Sequence, residues 1–246
     1  MLHSIYTTIA GRTIHTRVVL DVEPHALPIV LVHGLSVSSR YMVPLAEALA
    51  PPRRVYAPDL PGFGLSEKPR DILDVPQLAV ALCDWMDYFA LDRAVLVGNS
   101  MGCQIIAALA NSSPERVVRA VFNGPTVDRA GRNLVEQARR LALDGLREPL
   151  TSVLTQLSDY GRAGPRRTIR TMQHALRDPL EARVPHMFMP VLVTRGQRDV
   201  IAPRRWCEEL TALLPNGRLL EFPGSPHATN YADPQPLAQA IIDFTA

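Results

Sequence analysis

Lysine is almost absent from this chain. Lys68 is the only one among 26 Lys and Arg residues, and 24 Asp and Glu leave a formal net charge of +2. That arginine bias, with abundant alanine, leucine and proline, fits a GC-rich genome. No basic stripe interleaves with aromatics, so no nucleic-acid partner is expected. Cysteine is scarce as well: Cys83, Cys103 and Cys207 are odd in number, widely spaced and lack a CxxC pair, which argues against a disulfide framework or a zinc site. Cys103 is expected to be a small buried hydrophobe. Long apolar runs are missing too. None approaches a membrane span, and residues 1–20 are broken by His3, Thr7, Thr8, Arg12, His15 and Arg17, which leaves no room for a signal-peptide core. The expectation is a soluble, cytoplasmic protein, monomer or homodimer, with a small-molecule substrate, no membrane partner and no cofactor.

With 47% apolar residues in 246, the chain can bury one core, or a core plus an insertion. Strand-like and helix-like segments alternate, the pattern of an α/β fold with a mainly parallel sheet. Residues 4–20 read as a hairpin turning at Ala10-Gly11. Strands follow at 28–32, 54–57, 95–97, 119–122, 191–194 and 218–222, and helices at 38–49, 75–90, from 103 onward, 204–214 and 234–244. Near-continuous apolar strands fit a sheet covered on both faces. From 125 to 185 the alternation stops, and an arginine-rich, helix-patterned stretch is punctuated by Gly131, Gly145, Pro149, Gly161, Gly164, Pro165 and Pro179. The expected organisation is a core of residues 1–124 and 186–246 with a helical cap at 125–185.

The chemistry centres on Gly98-Asn99-Ser100-Met101-Gly102. A β-rich run, a glycine-flanked turn and a helical pattern put the Ser100 hydroxyl at the tip of a strand-to-helix turn, as a nucleophile requires. Flanking glycines let the turn tighten and the helix approach the strand. The Met101 N–H is left at a helix N-terminus, facing developing negative charge. A serine hydroxyl needs a base and a group to orient that base. Of seven histidines, His227 sits in a polar, proline-rich loop after the final strand, where such folds collect catalytic groups. His3, His15, His25, His174 and His186 are weaker candidates. Asp199, in the loop after the penultimate strand, is the candidate orienting carboxylate, with a helix-capping role as its bland alternative. Ser100, Asp199 and His227 stand in the chain order of an α/β-hydrolase triad. Leu35, after His33-Gly34, is the candidate for a second oxyanion N–H. His33 itself reads as structural. Asp59 reads as a residue bonding its own loop, although its carboxylate competes in principle with Asp199.

Taken together, HGLS at 33–36, DLPGFGLS at 59–66, GNSMG at 98–102, RGQRD at 195–199 and SPH at 225–227 resemble the α/β-hydrolase fold superfamily with a helical cap. The resemblance covers essentially the whole chain outside the cap. It implies a mostly parallel central sheet with helices on both faces, Ser100 as nucleophile, Asp199 as acid, His227 as base, and Leu35 with Met101 as oxyanion donors. Haloalkane dehalogenases and epoxide hydrolases of similar scaffold carry Asp at the nucleophile position, so Ser100 excludes their usual mechanism. GNSMG also resembles the elbow of hydrolases that cleave carbon-carbon bonds in ring-opened aromatic diketones. Those enzymes typically have HGxGPG and a Trp after the catalytic His, whereas this chain has His33-Gly34-Leu35-Ser36-Val37 and Ala228.

The resulting expectation is a serine hydrolase acting on a small, fairly apolar ester, thioester or lactone through an acyl-enzyme. Carbon-carbon hydrolysis and a ligand receptor on the same scaffold are the alternatives. Asn99, Met172 and Phe188 are the chosen substrate contacts. Met187, Leu154, Leu157 and Tyr160 are further apolar candidates, unless they form the cap's own core. Arg162, Arg166, Arg167 and Arg170 read as a solvated helix face or as an attractor for an acidic substrate.

Overall fold

The computed structural model describes residues 2–19, 27–50 and 53–246. His25 and the end of the hairpin at Leu20 lie outside these residues. The hairpin, β1 (Leu2–Ile9) and β2 (Arg12–Val19), turns on Ala10 and Gly11, both at positive φ. That geometry matches the right-handed twist of the strands it joins. β3 (Ile29–Val32) leads through a 3₁₀ turn into α1 (Val43–Leu49), then β4 (Val55–Pro58), α2 (Val75–Tyr88), β5 (Ala94–Asn99), α3 (Met101–Ser112) and β6 (Val117–Asn123). The helix expected from residue 38 begins as 3₁₀ at Ser39–Met42, because Pro44 occupies the first turn of α1 and lacks the N–H that a continuous helix needs.

Between β6 and β7 the described chain forms no strand. It runs through α4 (Leu134–Gly145), α5 (Leu150–Ala163), α6 (Pro165–Arg177) and α7 (Leu180–Arg183). β7 (Val191–Gly196), α8 (Arg204–Leu213), β8 (Gly217–Phe222), α9 (Thr229–Ala232) and α10 (Pro234–Thr245) complete the chain.

The eight strands lie in the order β1-β2-β4-β3-β5-β6-β7-β8. β1, β2 and β4 pair antiparallel in turn, and all other pairs are parallel. Every residue of β3, β4, β5 and β7 is buried, whereas edge strand β8 alternates because only one of its faces is well covered. One face packs under α2, α3 and α8 around Trp85, Phe122 and Trp206. The other packs under α1 and α10 around Leu45, Leu49, Leu237 and Ile241. Each such leucine contributes roughly 1.5–3 kcal/mol of apolar burial. With β3, β5, β6 and β7 parallel, their C-terminal ends meet on one rim, where their loops gather.

The α4–α7 segment is tied to that rim by buried polar contacts. Gln104 Nε2 on α3 donates to the carbonyls of Ala175 and Asp178 at 2.9 and 2.8 Å. Ser38 Oγ donates to Asp159 Oδ2 at 2.6 Å, and Arg140 pairs with Asp128 at 2.9 Å.

Candidate active site

Ser100 stands between β5 and α3 with φ 56° and ψ −120°. A non-glycine residue held there stores strain of about 1–3 kcal/mol, tolerated only where the surroundings enforce it. The flanking glycines enforce it by close approach. A Cβ on Gly98 would come within 2.7 Å of the Cys103 nitrogen, and one on Gly102 within 2.3 Å of the Val32 carbonyl oxygen. Helix α3 therefore presses onto the sheet and leaves Ser100 projecting at its N-terminus. As the first helical residue, Met101 has an N–H with no intrahelical acceptor. The Gly34 backbone also comes close, since a Cβ there would meet the Ser100 Cβ at 3.1 Å. This contact brings the His33-Gly34-Leu35 turn alongside the hydroxyl.

His33 holds that turn rather than joining the chemistry. Its Nε2 accepts the Leu60 N–H at 3.1 Å, so Nδ1 carries the proton and donates to the Gly34 carbonyl at 2.9 Å. Burial lowers its pKa and keeps the ring neutral. Asp59 is committed elsewhere too. Its carboxylate accepts from the backbone of Ser39 and Leu65 at 2.6 and 2.8 Å and bonds His15 Nδ1 at 2.8 Å.

Asp199 and His227 are drawn together from the loops after β7 and β8. Asp199 Oδ1 accepts the N–H groups of Ile201 and Ala202, both at 2.8 Å, and Oδ2 accepts from His227 Nδ1 at 2.8 Å. The carboxylate is thereby fixed in place, and Nε2 is left as the unprotonated atom of a neutral ring. Burial works against charge on the imidazole, yet the Asp199 carboxylate, with Asp144 and Glu148 nearby, carries its pKa up to about 9. Gly124, at φ 56° just after β6, makes room for the pair: a Cβ there would lie 2.8 Å from His227 Cε1 and Nδ1 and 3.0 Å from Asp199 Oδ2. Sequence reasoning passed over Gly124. Its signal was a glycine directly after the strand neighbouring the Ser100 strand.

Ser100 and His227 line one cavity of about 520 Å³, counting its open mouth, together with Leu35, Met101, Tyr160 and Met172. Asn99 also lines it, with its amide donating to the Asn123 carbonyl at 3.4 Å. The choice of Phe188 is corrected. The residue is 72% exposed and outside the cavity, because the segment lies against the start of β8, where Asn216 Nδ2 donates to the Phe188 carbonyl at 2.7 Å. Leu154 and Leu157 face solvent, and Met187 is in the core. Among the described residues, no Arg or Lys lines the cavity. Arg162, Arg166 and Arg170 are exposed, and Arg167 donates to the Pro69 carbonyl at 2.7 Å. The Cys103 thiol is fully buried, and burial pushes its pKa well up, which leaves it unreactive. Among the described residues, no three His, Cys, Asp or Glu side chains are grouped to hold a metal ion.

A second feature escaped the sequence: a buried amide network beneath the site. Thr194 Oγ1 donates to Asn123 Oδ1, Asn123 Nδ2 to Asn230 Oδ1, and Asn230 Nδ2 to the Tyr41 carbonyl, at 3.1, 3.2 and 3.1 Å. It links β6, β7, α9 and the turn before α1.

A family model described as "Alpha/beta hydrolase family" matches residues 29–240. The chain belongs to the α/β-hydrolase family. It is 29% identical over 250 residues to a pimeloyl-[acyl-carrier protein] methyl ester esterase of Xanthomonas axonopodis pv. citri (strain 306), covering 92% of this chain and 98% of the relative. Identity is also 29% over 252 residues to the uncharacterized hydrolase YugF of Bacillus subtilis (strain 168), covering 90% and 91%. Among solved structures, the enol-lactonase from Burkholderia xenovorans LB400 superposes with a TM-score of 0.78 at 23% identity, covering 98% of this chain and 99% of that one. The likeness to such structures shows the fold. The family match at residues 29–240 spans the helical segment between β6 and β7, and no helix among the described residues is long and apolar enough to cross a membrane.

Proposed function

We propose that this α/β hydrolase is a serine esterase acting on small, fairly apolar carboxylic esters, with thioesters and lactones as related substrates. The observation that carries the reading is a strained Ser100 sharing a cavity with an imidazole already hydrogen-bonded to Asp199. The methyl ester esterase named among its relatives supports it. In this reading Ser100 Oγ attacks the ester carbonyl while His227 Nε2 takes its proton. The Leu35 and Met101 N–H groups hold the oxyanion, and His227 returns the proton to the departing alcohol. Water, activated by the same nitrogen, then releases the acid and restores Ser100.

Residues 125–185 act as a cap over a core of 1–124 and 186–246. Leu141 of α4, Gln156 and Tyr160 of α5 and Met172 of α6 are among the residues it contributes to the cavity lining, and acyl-chain selection falls to the apolar ones. The absence of Arg and Lys from the cavity wall favours a neutral acyl chain over the anionic dienol of a ring-opened diketone, which requires polar anchoring. Three unpaired cysteines among the described residues suit a reducing, cytoplasmic setting, and a monomer or homodimer completes the reading. The test is kcat/KM for p-nitrophenyl esters of graded chain length against a ring-opened aromatic diketone. Short esters should win. A diketone preference beyond about tenfold, roughly 1.4 kcal/mol, would reverse the assignment.

A further inference from the structure

Two carboxyls outside the proposed triad press on the loop that carries His227. Glu148, just beyond α4, is 9% exposed, and its Oε1 accepts the Ala228 N–H at 2.7 Å. Asp144, in the last turn of α4, is 4% exposed, and its Oδ1 accepts the His227 N–H at 3.4 Å. The two carboxyls also feel each other's charge, that of Asp144 making Glu148 harder to ionise. The remaining buried oxygen, Glu148 Oε2, has no donor partner. Two buried carboxyls that interact in this way hold one proton between them more readily than two charges.

We propose that Glu148 and Asp144 are positioning residues for His227: they clamp the backbone of its loop and supply, beyond Asp199, negative charge that steadies the imidazolium. The proposal rests on the serine-esterase reading. It also gives α4 and its following turn a role besides covering the cavity, since the seating of this segment sets where the base stands.

The groups facing the pair come from every neighbouring element. His227 and Asp199 lie on the β8 and β7 loops, Ser152 and Tyr160 on α5, and Tyr41 in the turn before α1. Desolvation, followed by the Asp144 charge, pushes Glu148 up to about 7, and desolvation raises Asp144 as well. Glu148 therefore ionises before His227, whose value is about 9. Once charged, it holds the proton on the imidazole. Catalysis needs the neutral ring, so kcat/KM climbs with pH along a limb on the alkaline side of 6.5.

The experiment is the pH profile of kcat and kcat/KM on one p-nitrophenyl ester for wild type, Glu148→Gln, Asp144→Asn and Glu148→Ala, with Ser100→Ala alongside. Glu148→Gln keeps an acceptor for the Ala228 N–H and loses the charge, so its limb should move to lower pH by about half a unit or more. Asp144→Asn should move it the same way. Glu148→Ala loses charge and clamp together, and its plateau kcat should fall at least about tenfold below that of Glu148→Gln. Limbs unmoved within about 0.2 unit in both isosteric variants would overturn the electrostatic role. Equal plateaus for Glu148→Ala and Glu148→Gln would overturn the clamp. Turnover surviving in Ser100→Ala would instead unseat the serine-esterase reading, which keeps the two failures apart.

Discussion

Replacing Gly124 by alanine probes the acid-base pair without touching either partner. The new Cβ would sit 2.8 Å from His227 Cε1 and Nδ1, where carbon contacts settle at about 3.5–4.0 Å, so the ring must retreat by roughly 0.7 Å. A 1 Å misplacement of a catalytic group costs on the order of 100-fold in rate, and kcat/KM should fall about 10–100-fold. The left-handed backbone at Gly124 adds about 1 kcal/mol of strain and the crowding about 1 more. Together they lower Tm by roughly 4–8 °C, well short of unfolding a domain with some 5–15 kcal/mol of stability. Gly161→Ala is the control, because nothing lies within 4 Å of its Cβ site and alanine suits the interior of α5. The assay is p-nitrophenyl ester turnover beside thermal unfolding. Wild-type activity in Gly124→Ala at unchanged Tm would refute the packing of His227 and Asp199 against this glycine.

Asp199→Asn should drop kcat by about 10⁴ with little change in KM, following the serine-protease precedent for a wrong tautomer; steady-state kinetics of both Asp199→Asn and Asp59→Asn checks it, and the larger loss falling on Asp59→Asn would mean the wrong carboxylate. Burial acts against charge on Asp59, but His15, His33 and the N–H groups of Leu65 and Ser39 outweigh it and hold its pKa below 3.8. Its ionised form therefore adds stability above that value, which is lost as pH falls through the lowered one; melting curves of Asp59→Asn should show a shallower loss of Tm in that acid window than wild type. Met172→Ala should change acyl-chain preference across an ester panel, whereas Phe188→Ala, outside the cavity, should leave that preference as it is. Equal effects of the two would separate the cavity wall from specificity.

The places of Ser100, Asp199 and His227 were legible because each sits within a few residues of a strand end. Strand ends are readable from apolar runs and glycine turns. His33 and Asp59 were legible as structural because part of their bonding is local, His33 to Gly34 and Asp59 to Leu65, although Asp59 also reaches Ser39 and His15 on β2. Gly124 was not, because its need for a missing side chain arises only when the loops after β7 and β8 close over β6. Asp144 and Glu148 lie some 80 residues from their backbone partners in the chain, a pairing no local pattern carries. Phe188 misled because an apolar side chain beside the cap suggests a cavity wall, while the turn ahead of β7 leaves it exposed. Periodicity gave the helices between β6 and β7, yet not which side chains of α5 and α6 face inward.

The central claim is that Ser100 is a nucleophile activated by His227 and Asp199. Its most direct test is labelling of the folded protein by a fluorophosphonate, with the modified residue mapped by peptide mass spectrometry. The account predicts one phosphonylated site, Ser100, with labelling lost in Ser100→Ala and strongly slowed in His227→Ala. Modification at another residue, or unlabelled Ser100 in a protein that still hydrolyses esters, would contradict it.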